Sequence, residues 1–242
     1  MRRGDAGVSA DRAVDEILDT YRHRPIDGGL PYSPLSNVNL DRIHERERVL
    51  AAALRRRGIG TLGDLRILDV GCGPGGELMR LAALGADPRL LHGIDLRPDA
   101  IQLARDRLAS GFTVGDARSL PFEAGTFDLV TQFTALSSMP TAAMRLAVAQ
   151  EMIRVAKPGG IVVSYDFIWN PTNRDTVGIP AKELRRIFSP LRIELHRVTL
   201  APPIDRRTRR VPGLRGLLKR VPFLRSHVMA IIDIPMDRPV SR

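Results

Sequence analysis

The residues of this sequence whose types and spacing could do chemistry are three aspartates, each of which follows a short apolar segment. Asp69 directly precedes a turn that contains Gly71 and Gly73, and Asp95 and Asp116 follow further along the chain. Asp95 comes roughly 20 residues after the glycine turn, which is the spacing at which an acid meets ribose hydroxyls in nucleotide-binding α/β proteins. Carboxylates in this arrangement could hold a ligand that carries hydroxyl and amino groups.

Segments of strand and helix character alternate along the chain and position these aspartates. Strands are predicted at residues 66–70, 90–94, 112–114, 127–133, 161–167, 193–200 and 228–234, and the helices that separate the first five at 76–84, 98–109 and 141–156. This alternation indicates an α/β protein whose parallel sheet is covered by helices on both faces. Because such sheets bind ligands at the carboxyl ends of their strands, we expect the three aspartates to line one site.

The glycine turn is the part of the chain that could approach a ligand most closely. Gly71 and Gly73 can adopt positive φ and have no Cβ to block a ligand, and the helix that follows begins with unpaired N–H groups. Three carboxylates make a poor phosphate site, and no Lys-Ser or Lys-Thr follows the glycines, so a nucleoside triphosphatase is not expected. A positively charged nucleoside fits the acids better, although a dinucleotide enzyme remains an alternative. Cys72, the only cysteine, is expected to be a small residue of the turn rather than a nucleophile.

Composition and charge limit the classes of protein to which the chain can belong. Its 242 residues, of which 43% are hydrophobic, are enough for one large α/β domain with a buried core. No apolar run reaches the ~20 residues of a membrane span and no secretory signal is recognisable, so a cytoplasmic protein is expected. The net charge of +10 is compatible with binding to nucleic acid, to anionic lipid or to a phosphorylated substrate, and it does not distinguish between them. Aromatic residues, at 5%, give little support to base stacking on nucleic acid.

Five segments resemble, in order, the successive motifs of class I S-adenosylmethionine-dependent methyltransferases: residues 69–75, 93–96, 115–117, 127–130 and 154–160. The resemblance covers about residues 65–168. It implies a Rossmann-like, doubly wound sheet of seven mostly parallel strands with an antiparallel last strand at 228–234. It also implies S-adenosyl-L-methionine as cofactor and S-adenosyl-L-homocysteine as product, as in small bacterial members of glycan and secondary-metabolite pathways.

The resemblance and the strand ends together assign parts of the cofactor to particular residues. Gly71 is expected at the methionine end, Asp95 at the ribose and Asp116 at the adenine amine. Leu96 is expected to pack on the base, and the N–H of Ala117 to lie beside the amine. The predicted cofactor-binding residues are Asp69, Gly71, Cys72, Gly73, Asp95, Leu96, Asp116, Ala117 and Gln132.

Residues outside the motif region are predicted to cover or extend one globular unit. Helices within residues 1–58 are expected to form a lid or a cover, and residues 59–242 the cofactor-binding domain. An insertion at about 202–225 is rich in proline and arginine, and its leucines share a helical face that basic residues surround. It is expected either to pack on the domain or, through residues 206–225, to contact anionic lipid at a membrane surface.

Methyl transfer requires an acceptor held in line with the methyl group, and a hydroxyl acceptor can also require a base. Asp166 is the first candidate for the base because it lies at the end of the central fifth strand. Tyr165 and His44, together with Tyr32 and Gln132, are alternatives for the base or for positioning. Tyr165 and Asp166 are neighbours on a strand, so their side chains should point to opposite faces. The other histidines lack metal-ligand spacing, so packing or surface positions are expected for them and no metal is predicted.

The end of the fourth strand limits the class of acceptor. By resemblance, enzymes that methylate exocyclic base amines carry an Asn/Asp-Pro-Pro-aromatic tetrad there, and residues 131–136 do not contain it. The predicted acceptor is therefore a hydroxyl of a small molecule, a glycan or a secondary metabolite, and nucleic acid is not expected. An RNA methyltransferase and a non-catalytic cofactor-binding subunit remain alternatives. A nicotinamide-dependent oxidoreductase is disfavoured because no hydride-transfer site follows Asp166.

Overall fold

The structure, a computed structural model, describes residues 10–22, 36–169, 176–201, 204, 207–208, 217–218 and 221–237. The helices of at least seven residues in these ranges are α1 (Ala10–Arg22), α2 (Asn37–Arg56), α3 (Gly76–Ala83), α4 (Pro98–Arg107), α5 (Ala142–Val155) and α6 (Ala181–Ile187). The strands are β1 (Ile67–Val70), β2 (Leu91–Asp95), β3 (Gly111–Val114), β4 (Phe127–Phe133), β5 (Ala156–Phe167), β6 (Arg192–Leu200) and β7 (Arg225–Asp233).

The strands form one sheet in the order β3-β2-β1-β4-β5-β7-β6. Strands β1 to β5 are parallel to one another, whereas β7 runs antiparallel to both β5 and β6. The predicted seven-stranded, mostly parallel sheet with an antiparallel last strand is therefore confirmed. The strand order reverses between β1 and β4, and a ligand site is expected outside the carboxyl ends of the strands at such a point.

Helices cover both faces of the sheet, and each face has its own apolar core. One core combines residues of α2, α3 and α4, such as Leu54, Leu78 and Ile101, with β1, β2 and β5. The other combines residues of α1, α5 and α6, such as Ile17 and Met152. Strands buried on both faces explain why the sequence of this sheet reads as apolar runs rather than as an alternating pattern.

Ion pairs fasten the carboxyl-terminal end of α2 to the far edge of the sheet. Arg57, which follows the helix, donates from Nη2 to Asp233 at 3.1 Å and from Nη1 to Glu194 at 3.2 Å. On the same helix, Ile43 and Leu50 are buried against the domain. Through these contacts α2 packs against the domain as part of its wall.

The transition from α5 to β5 differs in detail from the sequence prediction, which ended the helix at residue 156 and began the strand at residue 161. The helix ends at Val155 because Ala156 is already extended, and the strand begins there rather than at Ile161. Gly159 has φ +75°, and a Cβ at Gly160 would lie 2.9 Å from the carbonyl oxygen of Lys157. The two glycines therefore allow an irregular first part of β5.

Candidate active site

The sheet brings the three predicted aspartates to one edge, at the ends of three adjacent strands. Asp69 pairs in register with Gly93, two residues before Asp95, and Asp95 in turn pairs with Val114, two residues before Asp116. The carboxylates thus follow one another along the carboxyl edge, beside the point where the strand order reverses. This juxtaposition agrees with the sequence prediction.

Asp69 is the most deeply buried of the three carboxyl groups, with a relative exposure of 2%. Its Oδ1 accepts a hydrogen bond of 2.7 Å from the Thr131 hydroxyl on β4. Burial raises the pKa of Asp69 to about 8, and this hydrogen bond only partly opposes the shift. A buried acid with so high a pKa is suited to a ligand cation, since a positive charge beside it would favour the ionised form.

The carboxylate of Asp95 joins the glycine turn to the end of β2. Its Oδ2 accepts from the N–H of Gly73 and its Oδ1 from the N–H of Arg97, both at 2.9 Å. Burial raises the pKa of Asp95, and the two backbone donors oppose that change. Each carboxylate oxygen keeps a further lone pair, so the group can still accept from the two hydroxyls of a ribose.

Asp116 has a strong partner of its own. Its Oδ2 accepts from Arg118 Nε at 2.8 Å and Nη2 at 2.6 Å, while its Oδ1 accepts from the Arg118 N–H at 2.8 Å. Burial opposes ionisation of Asp116, but the hydrogen bonds from Arg118 outweigh it and lower the pKa. Leu96 and Ala117 lie nearby against the core that α5 covers. An adenine amine at Asp116, as predicted, would share the carboxylate with the guanidinium.

The glycine turn is shaped by protein contacts as well as by space for a ligand. The N–H of Gly71 donates to the Ile94 carbonyl at 2.8 Å, and a Cβ on Gly71 would lie 2.6 Å from the Cβ of Ala135. Gly73 has φ +50° and no atom within 4 Å of the position of a Cβ, so open space lies over it. Cys72 is buried, and burial raises the pKa of its thiol, which agrees with a packing function.

These features fit an S-adenosyl ligand by the chemistry of the donor set. Asp69 would face the cationic methionine end, Asp95 the ribose, and the open space over Gly73 would admit the ligand against the backbone. When bound, S-adenosylmethionine supplies a sulfonium methyl group as the electrophile. In the described ranges, no group of three or more His, Cys, Asp or Glu side chains could hold a metal ion.

Asp166 and Gln132, predicted as base and as cofactor contact, lie in an internal hydrogen-bond network and are both 0% exposed. Gln132 Nε2 donates to Asp166 and to the Ser164 hydroxyl, and its Oε1 accepts from the Ala135 N–H at 2.9 Å. Asp166 Oδ1 accepts from the Ser137 N–H at 2.9 Å, and burial raises the Asp166 pKa to about 6. The structure thus places both side chains beneath the loop that leaves β4, not in the cleft, because that loop needs acceptors and donors for its backbone.

Tyr165 points to the opposite face from Asp166, as the strand periodicity predicts, and is 1% exposed. Its hydroxyl lies 2.8 Å from the Thr199 hydroxyl. The guanidinium carbon of Arg46 lies 4.8 Å from the ring centroids of both Tyr165 and Phe133. His44, on the same helix as Arg46, is exposed, and Tyr32 is outside the described residues.

Arg46 and Tyr21 are two residues of this region that the sequence interpretation did not single out. Arg46 is 6% exposed and ion-paired with Glu77 at the start of α3. Burial tends to lower its pKa, but Glu77 more than compensates and the pKa of Arg46 is raised. Tyr21 of α1 hydrogen-bonds to Ser138 beyond β4, and its ring centroid is 6.0 Å from the Arg97 guanidinium beyond β2. In the sequence, Arg46 is one of several alternating charges on α2 and Tyr21 is a single tyrosine on α1. Neither pattern predicts these contacts, because the partners lie far away in the sequence.

Most of the predicted basic insertion, including Arg206, Arg209 and Arg210, is outside the described residues. Of its described positions, Leu217 is 60% and Phe223 72% exposed. Within the parts of the chain that the structure describes, no helix has both the length and the apolarity to cross a membrane.

Residues 67–160 match a family model described as a methyltransferase domain. The chain is 32% identical over 185 residues to the 2-methyl-6-phytyl-1,4-hydroquinone methyltransferase of Synechocystis sp., covering 70% of this chain and 55% of that protein. It is 34% identical over 164 residues to the chloroplastic tocopherol O-methyltransferase of Arabidopsis thaliana, covering 62% of this chain and 44% of that protein. The chain therefore spans about half the length of these curated relatives.

The geranyl diphosphate C-methyltransferase of Streptomyces coelicolor A3(2), solved with Mg²⁺, geranyl diphosphate and S-adenosyl-L-homocysteine, has the same fold. Its TM-score is 0.62 at 18% identity, over 93% of this chain and 99% of that one. The fold and the domain match define a Rossmann-like methyltransferase domain, and the resemblance to class I S-adenosylmethionine-dependent methyltransferases is confirmed. The S-adenosyl-L-homocysteine in the structure of that neighbour is the product that the sequence analysis expects for this chain.

Proposed function

We propose that the protein is an S-adenosylmethionine-dependent methyltransferase that transfers a methyl group to a hydroxyl of a small molecule, and that the acceptor is a phenol or hydroquinone. The observation that carries the proposal is the set of three carboxylates at neighbouring strand ends beside an open glycine turn. Asp69 and Asp95 bind the methionine end and the ribose, and Asp116 with Arg118 borders the adenine.

The aromatic side chains at the ends of β4 and β5 support the choice of acceptor. Phe133 and Tyr165 flank the Arg46 guanidinium, and Phe167 follows on the same face of β5. Flat rings and a cation favour an aromatic acceptor that develops negative charge on oxygen. The names of the hydroquinone and tocopherol methyltransferases that the chain resembles point to the same chemical class.

Helix α1 acts in this proposal as a cover over the cofactor. Tyr21 contacts Ser138 and Arg97, which lie beyond the ends of β4 and β2. These two strands flank β1 and its glycine turn on either side. A helix that spans them would exclude water from the bound cofactor. In this proposal α1 is the predicted lid, and α2 is a fixed wall of the domain.

A methyl-transfer assay with labelled S-adenosylmethionine tests the function. The acceptors are 2-methyl-1,4-hydroquinone, catechol, a phenyl glycoside and bulk RNA, and mass spectrometry of the product separates oxygen from ring-carbon methylation. Transfer to a phenol supports the proposal, whereas transfer to RNA alone replaces it by an RNA methyltransferase. Binding of S-adenosylhomocysteine without any turnover would indicate a non-catalytic cofactor-binding subunit.

Calorimetry tests the cofactor site separately. Asp95→Ala removes the carboxylate that holds the turn, and we expect it to abolish measurable binding of S-adenosylhomocysteine. Asp99→Ala is the matched control, because this exposed aspartate lies four residues after Asp95 and pairs with the side chain of Arg97. An absence of binding by the wild-type protein would overturn the proposed function.

A further inference from the structure

The imidazole of His227 is buried at the edge of the sheet where an acceptor would meet the cofactor. Because β7 is antiparallel, its first residues lie at the carboxyl ends of the other strands, and His227 pairs in register with Phe167. The imidazole is 1% exposed. It stacks on Tyr165 at a centroid distance of 5.0 Å and an interplanar angle of 13°, and its centroid lies 4.1 Å from that of Phe167.

One ring nitrogen of His227 has a partner and the other has none. Nδ1 lies 2.8 Å from the Ser226 hydroxyl, which itself donates to the Thr199 carbonyl at 3.4 Å. A serine hydroxyl has a single proton, so in the tautomer in which Ser226 donates to Thr199, Nδ1 is the donor to Ser226 and Nε2 keeps a lone pair. Among the described residues Nε2 has no hydrogen-bond partner. A buried polar atom without a partner costs about 1–3 kcal/mol, so such an atom calls for an explanation.

The charges around His227 keep the imidazole neutral. Burial, followed by the nearby guanidinium groups of Arg42 and Arg46 on α2, lowers the pKa of His227 well below its ordinary value. Arg46 is paired with Glu77, and the neutral phenol of Tyr165 lies against the ring. A neutral imidazole can accept a proton, and the two guanidinium groups would stabilise an oxyanion that forms beside it.

We propose that Nε2 of His227 accepts the hydroxyl proton of the acceptor, in a subsite whose walls are the rings of Tyr165 and Phe167. The inference rests on the proposed function and deepens it. As the proton passes to Nε2, the acceptor oxygen forms a bond to the methyl carbon, and the electron pair of the breaking methyl–sulfur bond stays on sulfur. The imidazolium then returns its proton to solvent. His227, for which the sequence predicted a packing or surface position, thus takes the function assigned to Asp166.

Turnover of 2-methyl-1,4-hydroquinone tests this function of His227. We expect His227→Ala to lower kcat by about 100-fold or more, the usual contribution of a general base, with the Kd for S-adenosylhomocysteine within about twofold of the wild type. Added imidazole should restore part of the rate, which a purely structural loss would not allow. His92→Ala is the matched control, since His92 packs against Phe127 at the opposite end of the sheet.

Binding of the acceptor provides a second measurement that does not depend on turnover. Trp169 is the only tryptophan of the chain, is 45% exposed, and lies two residues beyond Phe167. We expect its fluorescence to change when 2-methyl-1,4-hydroquinone is added to the complex with S-adenosylhomocysteine. In His227→Ala the apparent Kd should rise about tenfold, the cost of one hydrogen bond to a buried acceptor.

The outcomes separate this inference from the proposed function. A His227→Phe variant that keeps kcat within about threefold of the wild type would overturn the inference and leave the methyltransferase assignment intact. So would an unchanged hydroquinone Kd in His227→Ala. If His227→Ala unfolds, His227→Gln, which can still accept a hydrogen bond, should bind hydroquinone but turn over slowly; full activity in that variant contradicts proton transfer to the imidazole.

Discussion

The substitution Asp69→Asn tests the electrostatics on which cofactor binding depends. Burial raises the pKa of Asp69 to about 8, so the free protein carries this group mostly protonated at neutral pH. A ligand whose positively charged α-ammonium group faces Asp69 must therefore displace the proton. We expect the affinity of the wild-type protein for S-adenosylhomocysteine to rise between about pH 6 and pH 8 and to level off above it, because the carboxylate is then already ionised.

The magnitude follows from the linkage of one proton to binding. A fully linked proton changes the affinity about tenfold per pH unit, so Kd should fall by about 30- to 100-fold from pH 6 to pH 8. Asparagine cannot ionise, although its side-chain oxygen can still accept from Thr131. We expect Asp69→Asn to bind with little dependence on pH and to lose about 1.5–3 kcal/mol at pH 8.5, the value of a charge-assisted hydrogen bond.

The stability of the ligand-free protein should change in the opposite direction. The pKa of Asp69 is about 8 in the folded protein, whereas an unfolded aspartate titrates near 3.9. The contribution of this group to the free energy of unfolding is fully present below the unfolded pKa of about 3.9. It is lost as the pH rises from there to the folded pKa of about 8, and it does not change further at higher pH. Asp69→Asn avoids that loss, so at pH 8 it should be more stable than the wild type by up to about 5 kcal/mol, since the two pKa values differ by about four units and each unit is worth about 1.4 kcal/mol.

Calorimetric titration at six pH values and thermal unfolding without ligand measure both effects. Asp128→Asn is the control for the loss of a carboxylate, because Asp128 pairs with Lys157 at 2.8 Å near the start of β4, away from the carboxyl edge. It should leave the pH dependence of binding unchanged. Wild-type affinity that is constant from pH 6 to pH 8.5, or a pH slope that survives in Asp69→Asn, would refute the reasoning.

Three further substitutions test the turn, the buried arginine and the network beneath the loop. Gly71→Ala should lower the free energy of unfolding by about 2–4 kcal/mol in denaturant titrations, because φ is positive there and the new Cβ would overlap with a neighbouring methyl group. Gly58 also has positive φ but has free space around it, so the control Gly58→Ala should lower the free energy of unfolding by only about 1–2 kcal/mol. Arg46→Met breaks a buried ion pair and should lower the free energy of unfolding by about 3 kcal/mol. Arg22→Ala breaks an exposed ion pair and should lower it hardly at all, so equal melting temperatures of the two variants would contradict this prediction. Asp166→Asn should lower kcat no more than about tenfold, since the amide oxygen can still accept from the loop, and a loss above 1,000-fold would restore Asp166 as the base.

The sequence by itself determined the architecture and the edge at which the cofactor is expected. Apolar runs of strand length that alternate with helical periods define a parallel sheet, because both signals are local and depend only on neighbouring residues. The strand ends could then be read directly, so Asp69, Asp95 and Asp116 were identified together. The antiparallel last strand came from the resemblance, since periodicity contains no information on strand direction.

Only the tertiary structure decided what each side chain at that edge does. Asp166 and Gln132 satisfy the loop beyond β4 instead of facing the cleft, because their partners lie on other elements far away in sequence. The burial of Arg46 against Glu77, and the position of His227 beside Tyr165, depend on how α2 packs over an antiparallel strand. Burial and partner distance set the charge state and availability of a group, and both are properties of packing between distant segments that no local pattern specifies.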